Sequence, residues 1–473
     1  MSGLRRSGKS RSERNKSQVQ PEVPAPAISM ATDASGLRRR DFIKLLSGVA
    51  AAGVASGLLP SPAQAALPRV KTSARIVIAG AGAAGLAAAS RLADRLDGAK
   101  ITLIDERRAH YYQPGFTLIA AGLKDPSYSV STTAEYVARG VELIEERVAE
   151  FDPGGNKVVT ATGRAVPYDY LIVATGLTLD FAGIAGMDTA LIGKDGIGCV
   201  YAGPNEALAT YRAMAKFVES GGVGLFGRPA TEMKCAGAPL KYTFITDDLL
   251  RKQGTRGKAE LIYTAQNKGL FSVPIVSEKV RMLYAERGVK VNYEHVLTAI
   301  DPGRKLATYK TPTGTAELKY DFLAVVPPMR APEAVRNSPL KWREGPLSAD
   351  GWMEVDRGNL RHRRYANVFG VGDIAGVPKG KTAASVKWQV PVAVDHLIAS
   401  ISGTTSKEVY NGYTSCPLIT RIGRAMLVEF DYNDNLTPSF PGIIAPLEEL
   451  WVTWVMKETA LRPTYLAMLR GHA

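Results

Sequence analysis

Residues 75–105 limit what this chain can fold into more than any other stretch. A short apolar run, Arg75-Ile-Val-Ile-Ala79, leads at once into Gly80-Ala-Gly82-Ala-Ala-Gly85. An amphipathic helix is expected from about Gly82 to Leu96, and Lys100 to Asp105 reads as a second strand ending in an acid. Strand, glycine turn, helix and strand together make a βαβ dinucleotide-binding unit. Gly80 permits the tight turn, Gly82 lets a pyrophosphate approach the backbone, and Gly85 lets helix and strand pack closely. The helix N-terminus then faces the phosphates. Asp105 stands 20 residues beyond Gly85, where a carboxylate can hold the ribose hydroxyls of a nucleotide.

Two distant segments fit the same site. Tyr170-Leu-Ile-Val-Ala-Thr175-Gly176 is an apolar strand ending in Ala-Thr-Gly, and Asn367-Val-Phe-Gly-Val-Gly372-Asp373 is one ending in Gly-Asp. They resemble the segments that close the FAD site of two-dinucleotide-domain flavoproteins. That resemblance puts the Asp373 carboxylate on the flavin ribityl chain and the start of the next helix, from about Thr382, at the pyrimidine edge. A helix N-terminus there favours the negative charge of reduced flavin, and Lys381 adds a formal positive charge unless it is a solvated surface lysine.

The region between, roughly 190 to 328, reads as a second α/β unit. Its strand Gly222-Val-Gly-Leu-Phe-Gly227 is followed by no further glycine until Gly237, and the strand Ala259 to Gln266 lacks a terminal acid. No second phosphate cradle forms, which argues against nicotinamide and calls for another electron donor. The fold expected is α/β, with two Rossmann-like dinucleotide-binding domains of the glutathione-reductase-like flavoprotein kind and a C-terminal amphipathic helical segment.

The chain has 473 residues, 45% of them hydrophobic, enough for two or more domains. The first 65 residues stand apart from that fold. Arg39-Arg40-Asp41-Phe42-Ile43-Lys44 is a twin-arginine core, Leu45 to Pro60 is mildly apolar, and Ala63-Gln64-Ala65 is a small-residue cleavage site. Together these describe an export signal, and the apolar stretch is short for a membrane anchor. Met30 is an alternative start. Export by this route places the protein in the periplasm, on the outer face of the cytoplasmic membrane. The net charge of +14 stays positive without these residues. For an exported protein that charge suits an anionic membrane surface and not nucleic acid. It leaves a homo-oligomer open.

Three cysteines, Cys199, Cys235 and Cys416, are too few for a disulfide scaffold, and the five scattered His suggest no metal site. Cys235 sits where the nicotinamide-binding turn would be. From spacing alone any two of the three could pair, and a structural disulfide stands level with a redox one.

Six motifs add a resemblance. Tyr111-Tyr-Gln-Pro-Gly-Phe116, Lys234-Cys-Ala-Gly-Ala-Pro239, Val326-Pro-Pro-Met329, Tyr365-Ala-Asn-Val-Phe-Gly370, Lys381-Thr-Ala-Ala384 and Tyr413-Thr-Ser-Cys-Pro-Leu418 are similar to sulfide:quinone oxidoreductases, nearest the branch with the mitochondrial enzyme. The resemblance runs from about residue 75 to the C-terminus. It implies FAD, a redox bridge between Cys235 and Cys416, and sulfide oxidation to zero-valent sulfur with electrons passed to a membrane quinone. Hydrosulfide would open the bridge to leave a persulfide on Cys416. Lys241 and Lys457 match family lysines near the site and would stabilise sulfur anions. Cys199 departs from the mitochondrial pattern; other branches carry a third cysteine near it, sometimes linked to flavin, while a small buried hydrophobe is the simpler reading.

From Pro446 onward, Leu447, Leu450, Trp451, Trp454, Val455, Leu461, Leu466 and Leu469 recur largely at helical spacing. Such a stripe suits an interfacial helix, or equally a helix packed on the core. Phe430, Tyr432 and Trp451 are the aromatic candidates for a quinone channel. The chain thus divides into an export signal (1–65), a FAD-binding domain in two parts (74–188 and 329–405), a second Rossmann-like domain without a nicotinamide site (189–328), and a membrane- and quinone-facing segment (406–473). Three other activities remain open: a flavocytochrome c sulfide dehydrogenase flavoprotein, an NADH-dependent flavoprotein dehydrogenase, and a flavin-loaded sulfane-sulfur carrier.

Overall fold

The computed structural model describes residues 69–472. The twin-arginine core, the apolar stretch and the cleavage site all lie outside the described residues.

Along the chain, β1 (Arg75–Ala79), α1 (Ala83–Arg95), β2 (Lys100–Ile104), β3 (Val141–Ile144) and β4 (Tyr170–Val173) come first. Next are β5 (Ile197–Gly198), α2 (Pro204–Ser220), β6 (Gly222–Gly227), α3 (Ala238–Gln253), β7 (Ala259–Thr264), β8 (Val289–Asn292) and β9 (Phe322–Ala324). The chain then returns to the first sheet with β10 (Val368–Gly370) and α4 (Ala383–Ile401). The hairpin β11 (Thr414–Arg421) and β12 (Arg424–Phe430) follows. Two short helices close the chain, α5 (Trp451–Val455) and α6 (Leu461–Leu469).

Two five-stranded sheets result, ordered β10-β4-β1-β2-β3 and β5-β9-β6-β7-β8. Every neighbouring pair in both is parallel. Parallel strands covered on both faces must be apolar throughout. Ile76, Ile78, Leu103, Leu171 and Ile172 are accordingly inaccessible in the first sheet, and Leu225, Leu261 and Tyr263 in the second. Each sheet has its own hydrophobic cluster. Register brings Ala79, Ile104, Val173 and Gly370 to one edge. The residues just after them, Gly80, Asp105, Thr175 and Gly372, therefore gather at the carboxyl end of the first sheet, where open α/β sheets bind their ligands.

The C-terminal segment departs from the expected single stripe. Met456–Ala460 forms a π-turn between α5 and α6. Its wider winding breaks the 3.6-residue register, so one stripe cannot keep to one face. Trp454, Tyr465, Met468 and Leu469 turn into the core, while Trp451 stays 38% exposed. The Ser90 hydroxyl on α1 donates to the Leu469 carbonyl (2.8 Å), and His110 Nε2 shares a hydrogen bond with the Tyr465 hydroxyl (2.8 Å). Part of the stripe expected at a membrane therefore closes the first domain. Among the described residues no helix is long and apolar enough to cross a membrane.

Candidate active site

The glycine turn is shaped to leave one opening. Gly80 has φ +103°, which a side chain rarely adopts, and an added Cβ would fall 2.5 Å from the Ala174 carbonyl oxygen. A Cβ on Gly85 would fall 1.8 Å from the Gly80 oxygen, so only glycine lets α1 lie this close to β1. Gly82 differs: a Cβ there meets only Arg107 Nη2, at 3.9 Å. The space above Gly82 is thus free of packing, as a backbone cradle for pyrophosphate requires.

Asp105 is more occupied than its position in the sequence suggests. Its carboxylate accepts from the Ala81 N–H (2.7 Å), the Arg107 N–H (2.9 Å), Arg107 Nε (3.0 Å) and Arg107 Nη2 (2.8 Å). Burial opposes its charge, but these donors outweigh burial and hold the carboxyl below its usual range. Ribose hydroxyls reach Asp105 only if Arg107, whose side chain is half exposed, swings aside. Nothing in the local spacing signalled Arg107 in this role.

The other expected cofactor residues line the same edge. Thr175 Oγ1 is buried without a partner among the described residues, as a group awaiting a ligand would be. An added Cβ on Gly176 meets nothing within 4 Å. The Gly372 N–H donates to Gln389 Oε1 (2.7 Å) on α4. Burial pushes the Asp373 carboxyl up, against the charges of Lys234 and Lys381. Lys381 is not a solvated surface lysine. Its ammonium donates to the Asp373 (2.6 Å) and Ala375 (3.2 Å) carbonyls, lies 3.6 Å from the centre of the Trp352 ring, and is lowered by burial to about 8. Open backbone at Gly82, an orphaned hydroxyl at Thr175 and the half-buried Asp373 fit a flavin dinucleotide.

The second sheet shows why no matching cradle forms. β6 ends at Gly227 and α3 begins at Ala238, so a ten-residue loop replaces the tight turn. Cys235 lies in that loop, and its N–H donates to the Lys381 carbonyl (3.0 Å). Cys416 comes from β11, opposite Val428 on β12. Gly237 lets the two meet, since a Cβ there would fall 2.4 Å from Cys416 Sγ. This steric need was invisible in the sequence, where Gly237 read only as part of a motif.

Both sulfurs are free thiols, the reduced form of the expected bridge. A hydrogen bond joins them. A hydrogen bond from Cys416 holds Cys235 well below an ordinary thiol, against burial and with help from Lys241 and Lys457. Cys416, which keeps the proton, is pushed up by the same bond and by burial. The Lys241 ammonium is 4% exposed and 3.5 Å from Cys235 Sγ. Burial favours its neutral form, yet the charge of the two sulfurs keeps it above an ordinary lysine. The N-terminus of α3, just beyond Cys235, favours the same thiolate.

Lys457 reaches this cluster from the π-turn. It is 3% exposed, and its ammonium donates to the Pro114 carbonyl (2.8 Å) in the Tyr111–Phe116 motif. Burial, and then repulsion from Lys241, lowers it to about 7. The folded chain therefore binds fewer protons here than the unfolded chain between about 7 and the ordinary 10.5. Stability contributed at this site rises with pH across that window, and the full cost of the buried charge is present below about 7. Lys457→Met is expected to melt above the wild type in mild acid, with the advantage shrinking as pH rises towards 10.5. Paired melting curves across pH check this; a constant offset, or a loss in acid, contradicts it.

Cys199 does not join the pair. It is buried at the end of β5, its N–H donates to Thr210 Oγ1 (2.8 Å), and burial pushes its thiol up to about 11. That is an unreactive setting. Lys234, quoted in the sequence only within a motif, lies half-buried near Asp373, Cys199 and Cys235, and burial lowers its ammonium from the usual lysine range.

The three aromatic candidates for a quinone channel do not converge. Phe430 packs edge-on against Phe271, and Tyr432 packs on Tyr410 while its hydroxyl donates to the Arg357 carbonyl (3.1 Å). Trp451 follows Leu450, which bridges to Ala425 at the opposite end of β12. At about 3.4 Å per residue, Ala425 and Phe430 are roughly 17 Å apart along that strand.

Residues 74–205 match the family described as pyridine nucleotide-disulphide oxidoreductase. The chain is 36% identical to the mitochondrial sulfide:quinone oxidoreductase of Dictyostelium discoideum over 374 residues, 79% of this chain and 81% of that protein. It is 33% identical to the mouse (Mus musculus) protein of the same name over 410 residues, 85% of this chain and 88% of that one. The X-ray structure of the sulfide:quinone oxidoreductase from Aquifex aeolicus superposes with a TM-score of 0.69 at 23% identity, covering 84% of this chain and 92% of that one.

Proposed function

This chain belongs to the sulfide:quinone oxidoreductase family, and on that premise we propose that Cys235 and Cys416 are the sulfurs through which it oxidises sulfide. It is an FAD-dependent enzyme whose electrons go to a quinone. The observation that most supports the assignment of the pair is their contact beside two buried lysines, in the loop that replaces a nicotinamide cradle.

In the oxidised pair, hydrosulfide attacks the Cys416 sulfur. A sulfur–sulfur bond forms to the incoming atom, the Cys235–Cys416 bond breaks, and its electron pair leaves on Cys235 as thiolate. Sulfide sulfur becomes the outer sulfur of a persulfide, and the disulfide is reduced. Lys241 and Lys457 hold the charge that develops on the two sulfurs, and the α3 N-terminus assists. FAD, held by Gly80, Gly82, Gly85, Thr175, Gly176, Gly372 and Asp373, supplies a two-electron acceptor between the pair and the quinone. Lys381 braces the Asp373 segment through its two carbonyl contacts.

Quinone reduction by the isolated protein tests the activity. With sulfide and a short-chain quinone, and no cytochrome, quinol is expected in proportion to sulfide consumed. Flavin that bleaches while the quinone stays oxidised would favour a haem partner instead.

The sequence supports two further assignments. The Arg39-Arg40 signal directs export, so the mature protein works on the periplasmic face of the membrane. The exposed Ile443 and Trp451 form its contact with that surface. Replacing Arg39 and Arg40 with Lys is expected to leave precursor in the cytoplasm; undiminished periplasmic recovery contradicts export.

A further inference from the structure

The loop that carries Cys235 puts a side chain where glycine is the usual residue. Cys235 has φ +47°, the left-handed region in which Cβ crowds the following carbonyl. Such a conformation persists only where its surroundings over-determine it. Three hydrogen bonds do so here. The Cys235 N–H donates to the Lys381 carbonyl (3.0 Å), and the Cys235 carbonyl accepts from the Ala238 N–H (2.8 Å). The third is the Tyr201 hydroxyl, which donates to the same Cys235 carbonyl (3.1 Å).

Of these three, only the Tyr201 bond comes from a side chain. A carbonyl oxygen has two lone pairs, and Ala238 and Tyr201 take one each. Tyr201 is buried, and it rises from a fixed part of the second domain. Two residues before it, Cys199 is tied to α2 by its bond to Thr210. The phenol therefore reaches the loop from a rigid base.

We infer that Tyr201 is a positioning residue, whose hydroxyl holds the Cys235 peptide in its left-handed conformation and so aims Cys235 Sγ at Lys241 and Cys416. Without it two backbone bonds remain, the peptide turns more readily, and the sulfur spends less time beside the ammonium 3.5 Å away. Tyr201 makes no bond to the reacting sulfur itself. The charged and titratable groups that face Cys235 are Cys416, Lys241, Lys457, Lys234, Asp373 and Tyr201 itself, whose phenol burial keeps neutral. Tyr201→Phe alters none of the others and removes no charge. The inference rests on reading Cys235 as a redox sulfur, so its test uses no sulfide and fails independently of that reading.

The reduced holoenzyme is alkylated with iodoacetamide across a range of pH, and Cys235 modification is followed by peptide mass spectrometry. In the wild type, Cys235 is expected to react at a pH below that of an ordinary thiol. In Tyr201→Phe its rate in mild acid is expected to fall about fivefold, the effect of one typical hydrogen bond, and its profile to move towards an ordinary thiol. Tyr263→Phe is the control. Tyr263 is wholly buried, interacts with Tyr201 and with Arg228 of the loop, and has a hydroxyl with no hydrogen-bond partner among the described residues, so this change removes a neighbouring phenol oxygen while leaving all three bonds to the Cys235 peptide in place. Its Cys235 profile should match the wild type. Tyr201→Leu must reproduce the shift if Tyr201→Phe does not accumulate. An unchanged profile in the Tyr201 variants, or an equal shift in Tyr263→Phe, overturns the inference.

Discussion

Gly82→Val is expected to give a folded protein that holds essentially no flavin. Its Cβ meets nothing closer than Arg107 Nη2 at 3.9 Å, so the protein alone tolerates the side chain. The same atoms fill the space through which pyrophosphate approaches the backbone and the start of α1. Gly85→Val should behave differently, because its Cβ lies 1.8 Å from the Gly80 oxygen and must push α1 off the sheet. The first variant should be soluble and colourless, and the second poorly folded. Bound flavin stabilises only the native state, so melting of Gly82→Val belongs beside flavin-stripped wild type. A yellow, fully loaded Gly82→Val contradicts the placement of the cofactor.

Cys235→Ser and Cys416→Ser should each lower sulfide-dependent flavin reduction by about a thousandfold or more, as removal of a nucleophilic group does. The fold and the bound flavin should survive. An inert structural disulfide makes the opposite prediction, a loss of about 2–5 kcal/mol of stability with chemistry intact in the folded fraction. The lysines decide which expectation is reasonable. A structural crosslink has no use for two buried ammonium groups beside its sulfurs, each of which carries a desolvation cost. Melting and anaerobic flavin bleaching measured on the same samples separate the two outcomes. A destabilised variant that bleaches at the wild-type rate defeats the redox assignment.

What could be read from the sequence follows from how local each signal is. The βαβ unit at 75–105 was legible because strand, turn and helix are adjacent and the glycines answer to local sterics. The second sheet was legible for the same reason, through the glycines missing after Gly227. The bracing of Lys381 was not, since its direction depends on carbonyls already folded around it. Lys457 and Pro114 are 343 residues apart, and no spacing rule joins them. Only the family motifs suggested that Lys457 mattered. The C-terminal stripe could not be followed along one face because helical spacing assumes one unbroken winding, which the π-turn at Met456–Ala460 interrupts. Phe430, Tyr432 and Trp451 share aromatic character and nearness in sequence, but β12 carries them to opposite ends.

The most direct measurement is mass spectrometry of the oxidised wild-type enzyme after anaerobic addition of sulfide, with the flavin spectrum taken on the same sample. If Cys235 and Cys416 are the sulfurs that take the substrate, the flavin bleaches and one added sulfur appears on Cys416, with none on Cys199. Bleaching with no sulfur added to either Cys416 or Cys235, or with the added sulfur on Cys199, would contradict the account.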